Sequence, residues 1–246
     1  MNAMRHKLAF WLRATATLGL MSLCALMALG VSLITAFQSR RFCSERLVTP
    51  FGRIVLRIWG IRMRVHRAAP FPGGQVVYIS NHTSTIDVFV LVALGLPNAR
   101  YFLSGFLRKL LPLGLIGYLI GIFWTVPQAY PDRRTKIFQR AARVLGDSGE
   151  SVYLSPEGER VTNGGIGPFN KGAFHLATAL RAPIVPLFIL IPKDMDPGRG
   201  LHARPGAVDV FVRPPIETAS WCIEDLVANK ERVRDYYLEW HRSVAR

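Results

Sequence analysis

A histidine and an aspartate stand five residues apart in Asn81-His82-Thr83-Ser84-Thr85-Ile86-Asp87. Such a pair does acid–base chemistry when the carboxylate holds one imidazole nitrogen and the other nitrogen faces substrate. On one continuous helix, residues five apart point about 140° away from each other. A turn leading into a helix removes that obstacle, and the flanks predict such a turn. Val76-Val77-Tyr78-Ile79 is an apolar run bounded by Gly73-Gly74 and reads as a buried strand. Residues 88–96 have apolar spacing that suits a helix. Two readings of the pair are open: an oriented general base, or a surface turn with a capping Ser or Thr and an exposed His. A second polar turn, Ser155-Pro156-Glu157-Gly158-Glu159-Arg160, follows the strand-like Ser151-Val152-Tyr153-Leu154. If the two strands are neighbours, the base faces a turn carrying a cation. Alone, Glu157 and Arg160 read as a solvated ion pair worth about 0–1 kcal/mol.

The elements that must position these turns alternate along the chain. Residues 48–59 are largely apolar with Arg53 and Arg57 one helical turn apart, a basic amphipathic helix that Gly60 stops. Residues 61–67 alternate apolar and cationic side chains, which marks a half-buried strand with a basic outer face. A Pro- and Gly-rich loop over 68–74 leads to the first turn. Strand, turn and short helix fit 99–111, and a buried strand fits 120–126. Residues 132–145 form a helix with Ile137, Phe138, Ala141, Ala142 and Leu145 on its apolar side, ended by Gly146 and Gly149. A helix over 173–180, strands over 184–190 and 208–212, and a closing helix over 223–244 complete the pattern. It predicts an α/β domain whose mostly parallel sheet is flanked by helices, with functional residues at the carboxyl ends of the strands.

The 246 residues carry a formal net charge of +15, from 31 Lys and Arg against 16 Asp and Glu. That surplus points to polyanions: nucleic acid, anionic lipid or phosphorylated substrates. Hydrophobic residues make up 50% and mean hydropathy is +0.22, which favours a membrane surface over nucleic acid. No RNA-recognition, helix-turn-helix or zinc signature is present. Cys24, Cys43 and Cys222 have neither CxxC spacing nor a grouping with His, which argues against a metal site and a disulfide framework. His66, His175, His202 and His241 lack an acidic partner in a turn, and His6 sits in a basic flank.

Residues 14–39 are a 26-residue stretch without a charge, between Arg5, Lys7 and Arg13 and the trio Arg40, Arg41 and Arg46. A bilayer-crossing helix needs about 20 such residues. The stretch is long for the apolar part of a signal peptide, commonly about 7–15 residues. It is expected to be retained as a membrane-embedded helix or a helical hairpin, so residues 1–47 read as an anchor and 48–246 as the catalytic domain. The expected location is the membrane, with that domain on the cytoplasmic face. Residues 110–130 are also uncharged, but Pro112, Gly114, Gly117, Gly121 and Pro127 break the run into a short hydrophobic element and a strand.

Asn81-His82-Thr83-Ser84 with Asp87 resembles the His-x4-Asp signature of the glycerolipid acyltransferases, in particular the 1-acyl-glycerol-3-phosphate (lysophosphatidate) acyltransferase family. Ser155-Pro156-Glu157-Gly158-Glu159-Arg160 is similar to that family's third block. Pro168-Phe169-Asn170-Lys171-Gly172-Ala173-Phe174 resembles its continuation, and Pro183-Ile184-Val185-Pro186 its fourth block. Four blocks in order over roughly residues 60–215 make a specific match. The second block departs: Gly121-Ile122-Phe123-Trp124-Thr125-Val126-Pro127 holds no Arg where a phosphate contact is expected, and Arg133 or Arg134 are the nearby substitutes.

The resemblance implies transfer of a fatty acyl group from an acyl thioester to a lysolipid hydroxyl, with phosphatidate as product. His82 is then the general base and Asp87 its orienting carboxylate. Arg160, with Lys171, holds the acceptor head group, Glu157 and Gly158 shape its pocket, and Ser84 is a cap or hydrogen-bond partner. Backbone N–H groups at the helix start are candidates for an oxyanion hole, and the apolar stretch 101–126 for an acyl groove. No cofactor or metal is implied beyond the co-substrate, acyl-CoA or an acyl carrier protein thioester. The implied partners are membrane lipids and the lysolipid, and no nucleic acid. Rival readings are an acceptor such as lyso-ornithine lipid, a hydrolase using the same pair on water, and a basic membrane-surface protein without catalysis. The chain holds no GxSxG elbow that would support an acyl-serine route.

Overall fold

The computed structural model describes residues 2–196 and 203–244, so His202 lies outside the described residues and of His6 only the backbone is described. Helix α1 (Asn2–Ile34) runs unbroken through Gly19 and Gly30. The chain bends near the end of the uncharged stretch, at Ala36 and Phe37, both with positive φ. It then continues through α2 (Arg40–Phe42), a π-helical segment Cys43–Val48 and α3 (Thr49–Ile58). This second arm packs back on α1. Within α1, Lys7–Ile34 is 28 residues long with an 18-residue window of mean hydropathy 2.1, long and apolar enough to cross a membrane. Trp11, Leu26 and Ile34 are 66, 65 and 87% exposed, while Cys24, Ala25 and Ala28 are buried against the domain.

The strands that follow are β1 (Ile61–Arg67), β2 (Val77–Ser80), β3 (Ala99–Ser104), β4 (Phe123–Thr125), β5 (Ser151–Leu154), β6 (Ile184–Leu190) and β7 (Gly206–Val212). They form one sheet in the order β1-β7-β6-β2-β5-β3-β4. The β6–β7 pair is antiparallel and every other pair is parallel. Helices α4 (Asp87–Leu94), α5 (Leu113–Leu119), α6 (Pro131–Ser148), α7 (Gly172–Leu180) and α8 (Leu226–Val244) cover it.

Central strands buried on both faces read as continuous apolar runs. Here Val77 and Ile79 of β2 join Val152 and Leu154 of β5 and Phe188 of β6 in the core under α6, α7 and α8. The alternate residues Tyr78, Tyr153, Val185 and Leu187 join the core under α3 and α4. This period of two uses every apolar residue of the run. Edge strand β1 is less buried than its alternation predicts, with only Ile61 below the surface. Gly146 lies inside α6, and the left-handed Gly149 ends it instead.

The broken run 110–130 becomes α5 and the short strand β4. Ile116, Leu119 and Ile120 pack on α1, and Phe106, Leu111 and Tyr118 stand exposed beside them. At the opposite strand ends, Arg40 and Arg100 grip the carboxylate of Glu150 at 3.0 and 2.5 Å, tying the second arm to the sheet. Burial raises the Glu150 carboxyl, but the two guanidinium groups and Ser148 outweigh it and hold the group below its usual range.

Candidate active site

Parallel pairing of β2 with β5 brings both polar turns to one sheet edge, as Ile79 lies beside Leu154. The turn after β2 carries His82 into the start of α4. His82 Nδ1 lies 2.7 Å from Asp87 Oδ2, so the ionised carboxylate accepts the Nδ1–H and Nε2 is left toward the cavity. The same oxygen accepts the backbone N–H of Thr83 at 2.8 Å and of Ser84 at 3.0 Å. Asp87 is buried, and its Oδ1 has no hydrogen-bond partner among the described residues. Its side chain is thus held through one oxygen by three donors, which fixes both the carboxylate and the imidazole plane.

The turn itself is braced from two neighbouring strands. Asn81 donates from Nδ2 to the Ile189 carbonyl and accepts the Ile189 N–H, extending the β2–β6 ladder by a side chain. From β5's turn, the buried Glu157 accepts the His82 N–H at 2.6 Å and the Gly167 N–H at 2.8 Å. Ser84 donates its hydroxyl to Asp196 and accepts the Ile86 N–H, so it is a buried brace of the turn. Asn170 clamps the Glu157 turn by donating to the carbonyls of Pro156 and Glu157. Gly158 takes φ +73° there, and a Cβ would stand 2.7 Å from Asn170 Nδ2.

An open cavity of about 800 Å³ lies against this edge, walled by His82, Asp87, Gly158 and Glu159. Phe102, Leu103, Phe106, Leu107, Thr125 and Val126 of the 101–126 stretch supply much of its apolar wall. Tyr101 and Phe123 from that stretch belong to the cores instead. Arg108, Lys109, Arg133 and Arg134 give the wall its cations. Arg134 is anchored by donating to the Val126 carbonyl, and Arg133 lies over the Tyr130 ring at 5.3 Å.

The other residues singled out from the sequence are placed differently. Arg160 is exposed near the His82 turn and donates to Thr85 Oγ1 at 2.6 Å. Glu157 and Ser84 are not on the cavity wall, and Lys171 lines a separate cavity beside it. In the turn that precedes α4, the N–H groups of His82, Thr83, Ser84 and Ile86 all have protein acceptors and are not free to hold an oxyanion. The tether from Glu157 to the His82 backbone was not legible in the linear order, because it spans 75 residues.

Burial, against the help of its two N–H donors, raises the Glu157 carboxyl from 4.5 to about 7. A carboxyl raised in the fold binds more protons folded than unfolded between those two values, so stability falls as pH climbs from about 4.5 to about 7. Glu157→Gln should remove that slope. The wild-type melting temperature is expected to drop relative to the variant's between about pH 5 and 7 and to run parallel to it above, as scanned by calorimetry. Curves parallel over the whole range would contradict this assignment.

The Acyltransferase family pattern matches residues 62–190. The 1-acyl-sn-glycerol-3-phosphate acyltransferase alpha of Homo sapiens is 31% identical over 198 residues, covering 76% of this chain and 66% of that protein. The 1-acyl-sn-glycerol-3-phosphate acyltransferase of Limnanthes douglasii is 28% identical over 203 residues, with the same coverage of 76% and 66%. The chain thus spans just under two-thirds of these relatives' length. In fold, the chain superposes on the crystal structure of the 1-acyl-sn-glycerophosphate acyltransferase PlsC of Thermotoga maritima with a TM-score of 0.83, at 16% identity, covering 100% of this chain and 98% of that one. The family pattern covers over half of the sequence, from β1 through β6, and takes in both polar turns: the chain belongs to the Acyltransferase family.

Proposed function

We propose that the chain transfers a fatty acyl group from an acyl thioester to the free hydroxyl of 1-acyl-glycerol-3-phosphate, giving phosphatidate. The observation that carries this reading is the oriented His82–Asp87 pair on the wall of a cavity with apolar and cationic sides. The names of the relatives in Homo sapiens and Limnanthes douglasii supply the acceptor class. His82 Nε2 takes the hydroxyl proton as the oxygen attacks the thioester carbonyl. The new C–O bond forms, the C–S bond breaks, and the proton passes from the imidazolium to the departing thiolate. Asp87 stabilises the imidazolium between these steps, the part a carboxylate plays beside a catalytic histidine. The acceptor supplies the oxygen, so no nucleophilic side chain is needed.

The acceptor phosphate is held by Arg133, with Arg108 and Lys109 across the cavity, in place of the Arg that 121–127 lacks. Arg133→Ala is expected to raise the acceptor KM about 10-fold and to leave kcat within about twofold, since a charge-assisted contact of this kind is worth about 1.5 kcal/mol. An unchanged acceptor KM would remove Arg133 from that role. Residues 1–47 act as the anchor. The exposed apolar side chains of α1, with Phe106, Leu111 and Tyr118, bring the cavity mouth to the lipid surface from which the acceptor comes.

The deciding experiment is mass spectrometry of products from purified protein, acyl-CoA and a mixed lysolipid pool. Phosphatidate is the expected product. Free fatty acid without diacyl lipid would mean a hydrolase, and acylated lyso-ornithine lipid would move the acceptor class. The missing Arg of the second block is the observation that favours that second acceptor.

A further inference from the structure

Beside the reaction cavity, between α6 and α7, lies a second cavity of about 570 Å³. The two share Gln128, Arg134 and Phe138, so a narrow wall divides them. Among the described residues the second carries Lys171, His175 and Arg134 and no carboxylate, whereas Asp87 and Glu159 face the first. Its remaining polar wall is Thr135 with the amides of Gln128, Gln139 and Asn170, the last already donating to the Glu157 turn, alongside an apolar floor that includes Ala142 and Leu176. Desolvation first, and the Lys171 cation second, keep the His175 imidazole below its ordinary value, so Lys171 and Arg134 set the charge there. The cavity opens on the face of the sheet covered by α6, α7 and α8, away from α3 and α4, on whose side α1 and the second arm pack.

Acyl transfer brings together two unlike substrates. The lysolipid comes from the membrane side, past Phe106 and Leu111. The donor is water-soluble, and its phosphates must lie outside the reaction cavity while its thioester lies inside. An acyl chain end there would leave the Lys171 and Arg134 cations without a counter-charge. Phosphates joined to a base and sugar would meet cations, amide donors and an apolar floor together, with no opposing acid.

We propose that this second cavity is the donor-carrier subsite, taking the phosphates of a nucleotide-borne acyl thioester of the coenzyme A type with Lys171 and Arg134 as counter-charges. The proposal rests on the acyltransferase reading and adds to it the carrier class and the residues that hold it. It moves Lys171 from the acceptor side to the donor side.

The test uses the full chain in detergent and two readouts. First, adenosine 3′,5′-bisphosphate binding is measured by calorimetry for wild type, Lys171→Glu and Gln139→Glu. Both substitutions place a carboxylate on the wall at exposed helix-flanking or helix positions, where the fold is not at risk. Binding is expected to weaken about 10-fold or more in Lys171→Glu, and in the same direction in Gln139→Glu, with a salt dependence that reports an ionic contact. Second, the acyl-CoA KM of Lys171→Glu should rise about 10-fold while the acceptor KM and kcat stay within about twofold. A rise in the acceptor KM instead, unchanged binding in both variants, or use of an acyl carrier protein thioester without any bisphosphate binding would overturn the proposal. Absence of transfer with every donor would sink the acyltransferase reading alone, because the bisphosphate titration still decides whether the cavity is a nucleotide-phosphate site.

Discussion

His82→Ala is expected to lower kcat/KM for acyl transfer by roughly 10³–10⁴-fold, while the protein folds and melts nearly as wild type does. The size follows from the chemistry. The acceptor is an alcohol with a pKa far above neutral, so without a base the attacking oxygen keeps its proton through the transition state. The carboxylates nearby are poor substitutes for the imidazole: Glu157 is buried off the wall, Asp87 is turned into the protein by three donors, and Glu159 on the wall is exposed to solvent. The fold is expected to survive because the bracing of the turn runs through backbone groups. The N–H of residue 82 still reaches Glu157, the N–H of Val161 still reaches the carbonyl of residue 82, and Asp87 still accepts from Thr83 and Ser84. The measurement is product formation under saturating donor together with a thermal melt. A folded variant with wild-type activity would end the general-base mechanism.

Asp87→Asn is expected to cost roughly 10²–10³-fold, less than loss of a triad carboxylate that also changes the histidine tautomer. The reason is the asymmetry of the Asp87 carboxyl. All three of its donors converge on Oδ2, and Oδ1 has no hydrogen-bond partner. An asparagine can therefore set its carbonyl oxygen in the Oδ2 position and its NH₂ in the place of Oδ1. The Nδ1–H tautomer is kept, Nε2 still faces the cavity, and what disappears is the negative charge that steadies the imidazolium. Asp87→Ala removes the acceptor as well. It leaves the Thr83 and Ser84 N–H groups unpaired inside the protein, at about 1–3 kcal/mol each. The order of activity should be wild type, then Asn, then Ala, and the order of stability the same, because the Asn NH₂ is buried without a partner in the Oδ1 position while Ala leaves two backbone N–H groups unpaired. If Asn were as inactive and as unstable as Ala, the single-oxygen geometry would not be what holds the pair.

The sheet was legible because central parallel strands are buried on both faces and therefore leave unbroken apolar runs, as in residues 76–79 and 184–190. Their order was not legible, since β2 sits between β5 and β6, strands more than 70 residues further along the chain. Strand β1 illustrates the same limit. Its alternation of apolar and cationic residues predicts a half-buried strand, yet position at the sheet edge leaves nearly all of it in solvent. The long apolar helix α1 was legible as an uncharged stretch. The place where the chain turns back was not, because Ala36 and Phe37 take left-handed conformations that neither residue type announces. The acceptors of the turn were hidden for a related reason: Glu157 folds onto the His82 N–H from a distant segment, while Asp87 and Ser84 take the N–H groups of Thr83, Ser84 and Ile86.

By itself the sequence determined the meeting of the candidate pair. A His and an Asp five residues apart on a strand-to-helix turn can meet through local backbone geometry alone, and they do, at 2.7 Å. It also determined the family, because block order is a property of the linear chain. What only the tertiary structure decided is which side chains surround that pair. Glu157 is a tether rather than a wall, Arg133 and Arg134 reach the cavity from α6, and Lys171 belongs to the neighbouring cavity. Those assignments depend on contacts between segments that loops and helices separate by tens of residues. Sequence spacing constrains a side chain's neighbours within a turn or two, and beyond that the packing of the whole sheet sets them.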